Sequence, residues 1–222
     1  MEARRNDVQS GAVASSPAST ALWKRPLDLC VAVAASLLLL PVMAAIAIVI
    51  KIDSPGPVFF RQERVGRDGS SFRMWKFRSM YRDSEDGAHK AAAEAWFAAR
   101  PSDGGYKSKS DPRVTRVGRF IRRTSLDELP QLLNVLAGEM SAVGPRPAIA
   151  YELNHYLPAY FERQRVKPGM TGLWQVSGRA SVSAGEMMSL DLRYVREMSI
   201  GLDLRILVRT VPALLGRDRK AA

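Results

Sequence analysis

The sequence predicts a mostly helical α+β chain with one helix suited to a membrane. Three observations predict it. Leu29 to Ile50 is an apolar run with no charge and one hydroxyl, Ser36. Two short β-type segments near residues 58–80 are joined by turn chemistry. Leu129, Leu132, Leu133 and Leu136, and later Leu204, Leu207, Val208 and Val211, recur at helical spacing.

Composition narrows the class. Lys and Arg number 33 against 22 Asp and Glu, a net charge of +11 in 222 residues. Such a balance points to a polyanionic partner: nucleic acid, anionic lipid or a phosphorylated substrate. Cys30 is the only cysteine, so no intrachain disulfide forms. The two histidines, His89 and His155, are far apart, which argues against a His-rich zinc site.

Residues 1–21 are rich in Ala and Ser and read as a disordered tail. Residues 22–52 hold the apolar helix. Its 22-residue core carries no charge and would rise about 33 Å, enough to cross a bilayer core. Pro41 cannot donate to the Leu37 carbonyl and bends the helix. Lys24, Arg25, Lys51 and Arg61 make both flanks basic, so charge gives no direction of crossing. A kinked single span and a helix that re-enters the same leaflet both fit.

Residues 53–216 form the rest of the folded chain. Asp53-Ser54-Pro55-Gly56-Pro57 is a turn, and Val58–Gln62 and Phe72–Met80 flank the basic turn Arg64–Gly69 as a small hairpin. Lys76 and Arg78 alternate with Trp75 and Phe77: either solvated cations or a strip facing an anion. Residues 82–112 are polar, with a helix expected over Ala88–Arg100 through Trp96 and Phe97. Asp83, Glu85 and Asp86 read as a solvated acidic loop. Ala148–Arg165 is expected as a helix kinked near Pro158. Glu186–Leu215 is expected as one or two amphipathic helices, suited to a membrane surface or to a soluble core. Residues 217–222 are a basic tail.

The chemistry concentrates at Arg122-Arg123-Thr124-Ser125-Leu126-Asp127-Glu128-Leu129-Pro130. A helix is expected from Glu128 to about Ala137, with Pro130 in its first turn. Asp127 then faces free N–H groups and the positive end of the helix dipole, which favour its anion. Arg122 and Arg123 stand ready for phosphate oxygens. A carboxylate kept ionised beside a phosphate cradle can attack phosphorus. The competing reading is a helix cap, since Ser125-x-x-Glu128 fits a capping box. Arg146, held between Pro145 and Pro147, suits phosphate binding or is simply a cation on a stiff loop. The glycines of residues 169–178 allow close approach to a ligand, without a P-loop or G-x-G-x-x-G pattern.

Together these motifs resemble the bacterial sugar transferases, the monotopic polyprenyl-phosphate phosphoglycosyl transferases. The likeness rests on Lys24-Arg25-x-x-Asp28, Lys76-Phe77-Arg78-Ser79-Met80, Ser125-Leu126-Asp127-Glu128-Leu129-Pro130-Gln131-Leu132, Gly144-Pro145-Arg146-Pro147 and Pro168-Gly169-x-Thr171-Gly172-x-x-Gln175-Val176-x-Gly178-Arg179. The resemblance implies a re-entrant helix bent at Pro41, interfacial amphipathic helices and a small cytosolic α/β domain. Many members carry Ser-Pro at the bend, where this chain has Leu40-Pro41. It further implies transfer of a sugar 1-phosphate from a UDP-sugar to undecaprenyl phosphate, at the cytoplasmic face of the bacterial inner membrane. Asp127 would be the nucleophile, with Asp127 and Glu128 as candidate Mg²⁺ ligands and Glu128 alternatively handling a proton. Lys76, Arg122 and Arg146 would hold phosphates, and Gln175, Arg179 and Asp191 match family positions. Anionic lipid is an expected partner, nucleic acid is not, and a homodimer is plausible. A nucleotide-sugar glycosyltransferase would usually show Asp-x-Asp, which does not occur here. A tethered nucleic-acid-binding protein would also explain the charge, and should tolerate loss of Asp127.

Overall fold

The structure, a computed structural model, describes residues 21–81, 91, 94–98, 111–178 and 182–214. The expected tail (except Ala21), the acidic loop, Arg179, most of the helix expected over Ala88–Arg100 and the basic tail lie outside those residues. Within them the chain is mostly helical, with two small two-stranded sheets.

The apolar run forms α1 (Lys24–Asp53), which continues across Pro41 and starts five residues earlier than the uncharged run. Composition and length qualify it to cross a membrane, and little of it is buried. Two separate stretches of it pack on the rest of the chain. Near the start, Ala32 joins Phe72, Met74, Leu132, Val135 and Met140. Near the end, Ile46 and Ile50 join Phe77 and Ile121. Between them Leu37, Leu38 and Leu40 are 71%, 78% and 61% exposed.

Polar contacts pin each end. Lys24 Nζ lies 2.5 Å from Asp203, 3.3 Å from Asp28 and 2.9 Å from the Val143 carbonyl oxygen. Asp28 also accepts from the Ser141 hydroxyl and the Ala142 N–H. At the far end Arg78 donates to the carbonyls of Ile50, Ser54 and Pro55. These satisfy acceptors that a helix terminus leaves open. Arg78 is therefore a buried clamp on α1, and not part of an exposed cationic strip.

β1 (Phe59–Val65) and β2 (Ser71–Phe77) form the expected hairpin, antiparallel from Phe59↔Phe77 to Val65↔Ser71. Alternation along β2 sends Phe72 and Met74 into the core. α2 (Arg116–Thr124) begins with the Thr115 hydroxyl accepting from the Gly118 N–H. It ends at Ser125, whose left-handed φ of 59° turns the chain into a short 3₁₀ helix, Leu126–Glu128. α3 (Gln131–Ala137) follows and stops at Gly138, with φ 83°. The helix expected from Glu128 thus starts three residues later. The Ser125 hydroxyl does not cap the turn, so the expected capping box is not formed.

β3 (Ser141–Val143) and β4 (Gly169–Thr171) pair in parallel. The backbones touch there: a Cβ on Gly169 would lie 2.0 Å from the Gly144 nitrogen. The segment between them is not the expected kinked α-helix. It is two 3₁₀ helices, Ala150–His155 and Pro158–Arg165. Pro158 excludes a helical conformation from Leu157, whose ψ is 153°, and forces the break. A single turn, α4 (Leu173–Val176), leads to α5 (Ala184–Glu197) and α6 (Ile200–Leu214), the two expected C-terminal helices. α6 buries Asp203 and Ile206 and exposes Leu204, Val208 and Val211.

Candidate active site

Asp127 and Glu128 lie on the 3₁₀ turn between α2 and α3. The Asp127 residue is 5% exposed, while the Glu128 side chain is more open. Lys76, on β2, places Nζ 3.3 Å from Glu128 Oε1. Arg122 stands on the last turn of α2, half-buried. Its charge also helps to hold Asp111 below the usual carboxylate range, behind the larger effect of the hydrogen bond from Arg113.

One buried side chain fixes this arrangement. Asn134, on α3, is fully buried. Its Oδ1 accepts from the Trp75 N–H at 2.9 Å, and its Nδ2 donates to the Arg73 carbonyl at 2.9 Å and to Glu139. The strand residue before Lys76 is thereby stitched to the helix that follows Glu128. Nothing in the local sequence announces it, because its two strand partners, Arg73 and Trp75, lie about sixty positions away.

A second cluster surrounds the Gly144-Pro145-Arg146-Pro147 turn. Arg146 makes two bonds to the Glu152 carboxylate, at 2.9 and 3.0 Å. Burial opposes ionisation of Glu152, but the Arg146 guanidinium and the more distant Arg64 outweigh it and hold its pKa down at about 2. Arg163 donates to the Arg146 carbonyl at 2.6 Å and also contacts Asp191 and the Tyr156 hydroxyl. Burial pushes Asp191 up to about 6 against the pull of Arg163. Asp191 is wholly buried, touches Arg163, and also interacts with the backbone of Arg146 on this turn.

Gln175 belongs to the same neighbourhood. A Cβ on Gly172 would meet both the Gly144 carbonyl, at 2.3 Å, and Gln175 Oε1, at 3.3 Å. Among the described residues, Gln175 Oε1 and Trp174 Nε1 are buried without a hydrogen-bond partner. The sequence-predicted residues therefore fall into two groups: Lys76 with Glu128 and its neighbour Asp127, and Arg146 with Gln175 and Asp191. Glu152 and Arg163 were not legible as members of the second group. Glu152 had one local signal, as the third residue of a helix start beginning at Ile149.

The donor set suits Mg²⁺. Among the described residues no group of three or more His, Cys, Asp or Glu forms a metal cage. Two adjacent carboxylates on one turn are still the kind of partial oxygen set that magnesium uses, with water and substrate phosphates completing the shell.

Comparison with known proteins agrees with these motifs. The family profile described as bacterial sugar transferase matches residues 19–217. The chain is 44% identical over 200 residues to a UDP-galactose-lipid carrier transferase of Erwinia amylovora, covering 90% of this chain and 42% of that protein. It is 44% identical over 198 residues to the UDP-glucose:undecaprenyl-phosphate glucose-1-phosphate transferase of Escherichia coli K12, covering 86% and 39%. Against the exopolysaccharide production protein ExoY of Rhizobium meliloti it is 42% identical over 197 residues, covering 86% and 84%. The chain thus spans about two fifths of the first two relatives and most of the third. On the strength of the profile match over nearly the whole chain, the protein belongs to the bacterial sugar transferase family.

Proposed function

We propose that this chain is a phosphoglycosyl transferase that moves a hexose 1-phosphate from a UDP-sugar to undecaprenyl phosphate. The products are undecaprenyl-diphosphate-sugar and UMP, in a first membrane step of exopolysaccharide or O-antigen synthesis. The observation that carries the reading is the placement of Asp127 and Glu128 on one short turn with Lys76 in contact. The names of the Erwinia and Escherichia relatives support the donor and acceptor classes.

In the proposed mechanism an Asp127 oxygen attacks the β-phosphorus of the donor. The bond from that phosphorus to the bridging oxygen breaks, and UMP leaves with the electron pair. The sugar phosphate remains on Asp127 as an acyl phosphate. An oxygen of undecaprenyl phosphate then attacks the same phosphorus and releases the Asp127 carboxylate. One phosphoanhydride replaces another, so the protein supplies position and charge neutralisation more than driving force. Lys76 and Arg122 hold phosphate oxygens beside the nucleophile. Arg146, made rigid by Glu152 and Arg163, faces the donor phosphates. Gln175 and Trp174 present an acceptor and a donor suited to sugar hydroxyls. Mg²⁺, held by Asp127 and Glu128, would offset the diphosphate charge that otherwise repels a carboxylate.

The same reading places α1 in one leaflet, bent at Pro41. A straight helix of 30 residues is about 45 Å long. Both of its ends pack on one domain while the apolar middle stands free, which supports a bend over a span. Both flanks, and the catalytic turn, would then lie on the cytoplasmic face of the inner membrane.

The test incubates detergent-extracted protein with Mg²⁺ and a panel of UDP-sugars. Without acceptor, wild type forms a phosphosugar adduct on Asp127, visible by intact mass, and Asp127→Asn does not. Full turnover by Asp127→Asn, measured as UMP release with undecaprenyl phosphate present, would remove the covalent route.

A further inference from the structure

We infer that the cleft between the β1–β2 turn and the end of α3 is a second phosphate-binding site, shaped for a small soluble phosphate or diphosphate. Its cavity measures about 380 Å³ and is lined by Arg67 and Ser71 from the hairpin and by Gly138, Glu139 and Lys167. That volume falls within the range of small-molecule sites. Asp127 and Glu128 precede α3, whereas Gly138 follows it. The seven residues of α3 put about 10 Å between the catalytic turn and this cleft.

Positive charge gathers here from three parts of the chain. A Cβ on Gly138 would lie 3.4 Å from Arg25 Nη2 and 3.5 Å from Lys167 Nζ, so both cations reach one point at the end of α3. Arg25 is fixed there by donating to the Val135 and Leu136 carbonyls at 2.6 and 2.9 Å. A helix end leaves such carbonyls open. Lys167 makes no ion pair among the described residues. The carboxylates lining the cleft are committed elsewhere: Asp68 to Arg67 at 3.2 Å, and Glu139 to the Asn134 side chain at 2.6 Å. Burial, then Arg25, then Arg67 push the Lys167 pKa down, with Asp28 pulling less strongly the other way. Like charges held together with so little compensation favour an anion among them.

Phosphate is the anion that this set fits. Lys167 supplies a point charge, Arg67 a planar fork of donors and Ser71 a hydroxyl, and a tetrahedral oxyanion can meet all three. Among the described residues Phe72 is the one apolar side chain lining the cleft, and it is buried. An acyl chain would find no apolar wall there, which favours a soluble phosphate over a lipid headgroup. The inference does not depend on the proposed reaction, in which none of these residues takes part.

The test titrates inorganic diphosphate into the detergent-solubilised full chain, in metal-free buffer, by calorimetry. Lys76→Met with Arg122→Met removes the phosphate contacts of the catalytic turn, so the remaining binding reports the cleft. On that background Lys167→Met should weaken binding on the order of tenfold, Arg67→Gln likewise, and Lys167→Arg should retain it. Unfolding midpoints give a readout of opposite sign. Without diphosphate, Lys167→Met should be at least as stable as its parent, because it relieves repulsion. With saturating diphosphate the parent should overtake it. Absence of diphosphate binding, an affinity indifferent to both substitutions, or a Lys167→Met chain destabilised without ligand would each overturn the site. A second arm replaces diphosphate with vesicles of phosphatidylglycerol, against phosphatidylcholine. Vesicle binding that Lys167→Met weakens, in a chain that ignores diphosphate, would overturn the soluble assignment and move the phosphate to a lipid headgroup.

Discussion

Replacing Lys24 by Met tests how α1 is fastened to the domain. The ammonium sits between Asp203, at 2.5 Å, and Asp28, at 3.3 Å, and also donates to the Val143 carbonyl. Asp203 is fully buried, Asp28 nearly so, and the lysine side chain is 16% exposed. Methionine keeps the volume and removes the charge, leaving two carboxylates in a region with little water. Breaking a buried pair in this way costs about 3–5 kcal/mol. Burial already pushes the Asp203 carboxyl up, with Lys24 pulling it back. Without the lysine that rise grows. An acid whose folded pKa lies above its unfolded value favours the fold at low pH, and that contribution is lost as pH rises through the folded pKa. Lys24→Met should therefore be closest to wild type in mild acid and fall behind it toward neutral pH. Urea unfolding of detergent-solubilised protein across pH 5–8, followed by tryptophan fluorescence, measures the difference. Adding Asp28→Asn and Asp203→Asn should recover much of the loss. A Lys24→Met protein within about 0.5 kcal/mol of wild type at every pH would refute the reasoning, since that is the range of neutral surface changes.

Other perturbations follow from the same contacts. Asn134→Ala leaves the Trp75 N–H and Arg73 C=O without their partner, and should cost about 2–4 kcal/mol and reduce transfer through displacement of Lys76. Glu152, held at about 2 against an ordinary 4.5, contributes roughly 3 kcal/mol at neutral pH that disappears as pH falls from 4.5 to 2. Glu152→Gln should flatten that acid limb in pH-dependent unfolding. Gly169→Ala should drive β4 away from Gly144 and lower soluble yield, whereas Gly185→Ala, with open space around it, should be well tolerated in the same expression assay. Chelation by EDTA should stop UMP release while leaving the unfolding midpoint nearly unchanged, and restored turnover with Mg²⁺ checks reversibility.

Local chemistry was the legible part of this chain. α1 could be read because 22 uncharged residues leave few alternatives, and the hairpin because turn residues separate two β-type runs. The location of the acidic pair was legible from Asp127-Glu128-Leu129-Pro130, yet the conformation there was not. Ser125 adopts a left-handed backbone that its sequence neighbours do not demand, and this replaces the expected cap with a separate turn. The stretch from Ala150 to Arg165 misled because its polar pattern suits an α-helix, while Pro158 and the side-chain pull of Arg163 and Glu152 favour tighter turns. Asn134, Arg163 and Asp203 escaped for a single reason: each acts on backbone or charge brought near only by tertiary packing.

The lysine at the head of α1 has implications for biogenesis. Its tightest partner, Asp203, is 179 residues further along the chain. The apolar segment leaves the ribosome long before that carboxylate exists, so until then its lysine has only Asp28, four residues on, as its acidic partner. The final docking of the head of α1 thus belongs to the end of synthesis, and chains truncated before α6 would hold this helix by its far end, where Arg78 clamps it, without the Asp203 contact.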